Sequence, residues 1–112
     1  MAALTNLLIE QGATFTSTIS LFNADDTAFD LTDHTAAGQI RKSYSSSSAS
    51  ATFTISFASD RTSGQITLSL TPTQTAALEE GRYVYDIEVT GSDSTVTRVL
   101  QGTVTVSPNV TR

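Results

Sequence analysis

The 112 residues include no cysteine, which removes a disulfide framework and thiolate zinc sites from consideration. Basic residues are few: Arg41, Lys42, Arg61, Arg82, Arg98 and Arg112, of which only Arg41 and Lys42 are adjacent. Nucleic-acid binding draws on a clustered basic face, and this distribution predicts none. No apolar run approaches the roughly 20 residues of a membrane-spanning helix. Met1-Ala2-Ala3-Leu4-Thr5-Asn6 has neither a basic start nor a following apolar stretch, so no signal peptide is expected. Absent thiols suit synthesis in a reducing cytoplasm, and later release as part of a particle is compatible with that.

What is present points to one folded unit. Hydrophobic residues make up 38% and charged residues 15%, the balance of a globular chain. The length fits a single domain over 1–112, with one core between two layers. The net charge of −5 reads as solubility. Threonine and serine number 20 and 15, a composition suited to pleated sheets with one solvated face and to turns.

Apolar residues recur at every second position. Phe15, Ser17, Ile19 and Leu21 alternate with Thr14, Thr16, Thr18 and Ser20. Ala51, Phe53, Ile55 and Phe57 alternate with Thr52, Thr54 and Ser56, and Ile66, Leu68 and Leu70 with Thr67 and Ser69. Tyr83, Tyr85, Ile87 and Val89 oppose Arg82, Asp86 and Glu88. A period of two predicts strands with one face in a core and one in water. Leu4–Ile9, Gly38–Tyr44 and Thr95–Val106 complete seven. In the last, the apolar parity changes between Val99, Leu100 and Val104, which predicts a bulge near Leu100–Gly102 and an interruption at Gly102.

Asn23-Ala24-Asp25-Asp26, Ser59–Gly64 and Gly91-Ser92-Asp93-Ser94 are turn signals, and Ser45–Ser48 is an exposed loop tip. Thr71-Pro72 is an N-cap and first-turn pair, so Thr71–Leu78 predicts one or two helical turns, closed by Gly81 and crossing between sheets. The fold class expected is all-β: an immunoglobulin-like antiparallel β-sandwich of about seven strands with one short helical crossover. Glu79-Glu80-Gly81-Arg82-Tyr83-Val84-Tyr85 sharpens that reading. Tyr83 stands where such sandwiches place a tyrosine corner, and Tyr85 where antibody domains place a cysteine; the alternative is two ordinary core rings.

Few residues point to chemistry. His34 is the only histidine, and no serine stands in a nucleophile-elbow pattern, so Asp33-His34-Thr35 reads as loop. Asp25, Asp26, Asp30 and Asp33 have ligand-type carboxylates but not the spacing of a calcium loop; turn formation is the stronger reading. Asp86 and Glu88 share a strand face, without the cleft aromatics of a glycosidase pair. Arg41, Arg82 and Arg98 are candidates to pair across strands with Asp86 or Glu88, or to make subunit contacts. No catalytic, cofactor-binding or metal residue is assigned, and no cofactor, nucleic acid, membrane or small-molecule substrate is expected.

The order of segments is distinctive. Leu8-Ile9-Glu10-Gln11-Gly12-Ala13-Thr14-Phe15 opens the chain, and Asp30-Leu31-Thr32 precedes Ala37-Gly38-Gln39-Ile40-Arg41. Gly64-Gln65-Ile66-Thr67-Leu68 leads through Thr71–Leu78 to Tyr83-Val84-Tyr85-Asp86-Ile87 and Arg98-Val99-Leu100-Gln101-Gly102-Thr103-Val104. Nearly the whole chain resembles the small immunoglobulin-like virion proteins of tailed bacteriophages, those of cyanobacterial phages included. It is also similar to the N-terminal domains of phage baseplate upper proteins. The resemblance implies a non-enzymatic virion component made in the host cytoplasm. Its expected role is a tail or baseplate adaptor that contacts other virion proteins and copies of itself. A capsid or neck decoration protein and a carbohydrate-binding module are the alternatives, the latter depending on Phe22, Phe29 and Tyr44. The strand edges at Leu4–Ile9 and the distal end of Thr95–Val106 are the expected contact sites.

Overall fold

Each alternating run becomes a strand, and two runs are divided. The computed structural model describes residues 3–110. Its strands are β1 (Ala3–Leu4), β2 (Leu7–Glu10), β3 (Phe15–Ser20), β4 (Thr35–Arg41) and β5 (Ala51–Thr52). They continue with β6 (Thr54–Phe57), β7 (Gln65–Leu70), β8 (Gly81–Thr90) and β9 (Val96–Ser107). One sheet has the order β1/β2–β9–β8–β4–β5 and the other β3–β7–β6. All pairings are antiparallel except those of β1 and β2 with β9. The architecture is an immunoglobulin-like β-sandwich.

The inward side chains of both sheets meet in one core. Ile9, Leu31, Ile40, Ile66, Leu68, Ile87, Val89, Leu100 and Val104 have no exposed surface. Burying each such side chain contributes about 1.5–3 kcal/mol before the entropy of ordering it. Phe53 divides the run 51–57 between the layers. Before it, Ala51 and Thr52 pair with Ile40 and Gln39; after it, Thr54–Phe57 pair with Ser69–Ile66. Its N–H bonds the Gly38 carbonyl at 3.0 Å, and its ring lies 6.2 Å from that of Phe15 and 6.0 Å from that of Tyr85. A side chain packed between both sheets thus marks the crossing.

The helical crossover forms as its cap predicts. Helix α1 (Pro72–Ala76) is opened by a reciprocal capping box. The Thr71 hydroxyl accepts the Gln74 N–H, and the Gln74 side-chain Oε1 accepts the Thr71 N–H. Buried Thr75 donates its hydroxyl to the Ala13 carbonyl at 2.9 Å, tying the helix to the β2–β3 turn. Gly81, expected to close the helix, opens β8 instead with φ +136°. The helix closes earlier, at Ala77, because Leu78 turns into the core and the Tyr83 hydroxyl holds the Glu79 carbonyl at 2.8 Å. That bond is the tyrosine corner.

The last strand differs from expectation in two ways. Its bulge falls at Val99, between the pairs Ile87↔Leu100 and Glu88↔Arg98, so Val99 and Leu100 both face inward. β9 then runs without interruption through Gly102, whose missing side chain serves a close approach. A Cβ there would overlap the Thr5 carbonyl oxygen, which dips between β1 and β2. Tyr85, paired with Gly102, donates its hydroxyl to that carbonyl at 2.5 Å. Asn6 Oδ1 takes over the backbone's role on the other side, accepting the Thr103 N–H at 3.2 Å and its hydroxyl at 3.0 Å. The register is the same before and after this detour.

The distal end of Thr95–Val106 is not an open edge. Val104 and Val106 pair with Tyr83 and Gly81 on one side and with Leu7 and Ile9 on the other. A parallel pairing between chain ends leaves no local trace in the alternation, so the first strand's position over β9 is visible only in three dimensions. The Leu4–Ile9 edge is the outer one, with Leu4 and Leu8 exposed.

Candidate functional site

Register gathers three connections at one pole of the sandwich. The segment 21–34 joins β3 to β4, 58–64 joins β6 to β7, and 91–95 joins β8 to β9. Six aspartates lie in them: Asp25, Asp26, Asp30, Asp33, Asp60 and Asp93. Arg61 is the one basic residue of these segments. The five other acidic residues of the chain are balanced by its five other basic ones, so the whole formal charge of −5 belongs to this pole.

The aspartates are turn formers with specific tasks. Asp25, Asp30, Asp60 and Asp93 each precede a threonine by two positions and accept its N–H on Oδ1, at 3.2, 2.9, 3.0 and 3.1 Å. In the first three the same oxygen accepts the threonine hydroxyl, at 2.6, 2.5 and 2.5 Å. Such Asx bonds close the turn locally. Among the described residues no group of three or more His, Asp or Glu side chains is placed to share a metal ion. The Asp25 and Asp30 carboxyls are held below the usual value chiefly by their threonine hydroxyls, and Asp93 chiefly by the Thr95 N–H.

A pH dependence follows. Groups with depressed folded pKa values add stability above their unfolded values and lose it as pH falls through the folded ones. The native state is therefore expected to lose stability progressively once pH drops below about 4. Carboxyl chemical shifts followed by NMR should show Asp25, Asp30 and Asp93 titrating below an unstructured aspartate. Ordinary midpoints at all three would remove the Asx bonds from the folded state.

Arg61, which no sequence pattern singled out, binds the pole together. Its guanidinium lies 3.9 Å from the Phe57 ring centre and donates to the Leu31 carbonyl at 3.3 Å and the His34 carbonyl at 2.9 Å. His34 has a packing role: Nδ1 lies 3.0 Å from the Thr32 carbonyl and the ring meets Phe29 edge-on at 5.7 Å. Of the arginine pairs expected with Asp86 and Glu88, Arg98 meets Asp86 at 3.3 Å. Both are well exposed, so the pair contributes at most about 1 kcal/mol. Arg41 turns instead to the Ser46 carbonyl at 2.9 Å and Gln39 Oε1 at 2.8 Å, pinning the serine-rich loop.

The rings on which sugar binding would depend are dispersed. Phe29 is half-buried against the core. Phe22 is 60% exposed at the acidic pole, and Tyr44 is 80% exposed beyond the end of β4, at the opposite pole. A stacking platform needs rings on one surface.

The outer face of the three-stranded sheet is uniformly uncharged. β3, β6 and β7 contain no charged residue. Thr16, Thr18 and Ser20 of β3 stand beside Ser69, Thr67 and Gln65 of β7, with Thr54 and Ser56 of β6 beyond. Thr18 and Thr67 bond through their hydroxyls at 3.0 Å, and Ser69 donates to the Thr54 carbonyl at 3.3 Å. This face presents hydroxyl and amide groups and no ionisable side chain.

No family model and no curated protein sequence matches the chain. Among solved structures, it is similar to a family 123 glycoside hydrolase from Clostridium perfringens at 12% identity and TM-score 0.43. That alignment covers 97% of this chain and 24% of the hydrolase. It is also similar to AggA, the major subunit of aggregative adherence fimbriae type I from Escherichia coli, at 12% identity and TM-score 0.41, covering 91% and 89% of the two chains. At this level of similarity the function of neither protein transfers.

Proposed function

We propose that this domain is a non-catalytic structural component of a phage particle, a tail or baseplate adaptor that works through protein–protein contacts. The observation that carries the phage assignment is the order of segments from Leu8–Phe15 to Arg98–Val104, which resembles the immunoglobulin-like virion proteins. The geometry supports a contact-making role. Asp25 and Asp30 are engaged in turns and Asp86 in an exposed ion pair, while uncharged hydroxyl-bearing strands line an open sheet edge. Mass spectrometry of purified particles is expected to find the chain at a fixed ratio to the tail or baseplate proteins. Its absence from the particles would end this reading.

A further inference from the structure

We infer that β3 is a self-association edge, joining two copies antiparallel about a two-fold axis at Thr18 into one six-stranded sheet. The inference deepens the proposed assembly role and rests on it. At the end of the β3–β7 ladder, Leu21 N–H bonds the Gly64 carbonyl. Hydrogen-bonded pairs alternate along an antiparallel ladder, so Ile19, Ser17 and Phe15 also direct their peptide groups at β7. Thr16, Thr18 and Ser20 therefore direct theirs off the sheet, and among the described residues no strand lies beside them. A two-fold at Thr18 sets Thr18 against Thr18 of the second copy and Thr16 against its Ser20. All of these are outward-directed groups, giving about six main-chain hydrogen bonds.

A second copy suits this edge on three grounds. A two-fold brings residues near the axis against their own kind, and like charges opposite one another destabilise a sheet. β3 has no charge in a molecule of net charge −5, and it lacks the lysine, proline or bulge that ordinarily protects an edge. The antiparallel sense then places each acidic pole beside the partner's opposite pole, whereas a parallel sense would set two acidic poles side by side. Finally, the inward side chains of β3 are incompletely covered. Phe15 and Ile19 are half-buried while Ile66, Leu68 and Leu70 beside them are enclosed, and a neighbouring β3 extends the sheet over them. The other edges are poorer templates: β1/β2 is broken at Thr5–Asn6, β5 has two residues and β6 four.

Sedimentation velocity over a concentration series is expected to show a monomer–dimer equilibrium. Thr18→Lys should weaken it by at least about tenfold by setting like charges opposite each other. Because the native chain has no cysteine, Thr18→Cys under mild oxidation should give a disulfide-linked dimer, whereas Leu8→Cys on the other sheet's edge should not. This arm decides the matter even if the lysine variant fails to fold. A protein monomeric throughout, or a dimer that links at Leu8→Cys and not at Thr18→Cys, overturns the inference. Particles that contain the chain without a Thr18 link would leave the adaptor role standing and remove only this edge; a Thr18-linked dimer absent from particles would do the reverse.

Discussion

Gly102→Val is expected to destabilise the domain by roughly 3 kcal/mol, the upper range for forcing atoms into a filled site. The added Cβ would overlap the Thr5 carbonyl oxygen, and backbone cannot rotate aside as a side chain does. Either Thr5 lifts away, stripping its carbonyl of the Tyr85 hydroxyl and its N–H of the Gln101 carbonyl, or β9 bends from β8. In a domain of this size that loss lowers the melting temperature by roughly 15 °C. Tyr85→Phe tests the same contact more gently: it leaves the Thr5 carbonyl without its donor and should cost about 1–3 kcal/mol. The two changes act on one oxygen, so their combination should cost less than the sum of the single changes. Urea unfolding of the four proteins measures this cycle. Strict additivity, or a Gly102→Val protein as stable as the parent, would show that Thr5 does not lean on β9. The Tyr85 phenol, raised to about 12 by burial, remains a donor throughout the usable pH range.

Gly64→Ala should cost a similar amount, about 3 kcal/mol, by two additive routes. Gly64 has φ +71°, a left-handed conformation that a side chain disfavours by roughly 1–2 kcal/mol. A Cβ there would also lie 2.7 Å from the Leu21 carbonyl oxygen and 2.9 Å from both the N and O of Phe29. Those are the groups that stitch the acidic pole: Leu21 N–H bonds Gly64, and Phe29 N–H bonds Leu21. Hydrogen exchange should therefore quicken in 21–34 more than in β8 and β9. Uniform quickening, or none, would count against a local seam at Gly64.

These two glycines also show where sequence reading stops. The seven runs are legible from alternation, the crossover from the Thr71-Pro72 cap and the Tyr83 corner from its local spacing, because each is written within about ten consecutive residues. Gly102 reads in sequence only as a break in a strand, because its partner Thr5 lies far away in the chain and only the pairing of β1 with β9 brings them together. The sheet change at Phe53 is equally hidden, because Ala51–Phe57 keeps one parity while its partners change from β4 to β7. The aspartates were recognisable as turn formers one by one. Their gathering at a single pole, with Arg61 among them, depends on which loops the strand order brings together.

The parallel seam between β2 and β9 has a mechanical consequence. Tension applied through residues 3 and 110 would pull the two neighbouring strands lengthwise past each other. The bonds across the seam, with those of Thr5 and Gln11 at its margins, would then be loaded together and would have to shear as a group rather than peel apart singly. A domain stretched between moving partners would yield slowly, at a rate set by that collective rupture.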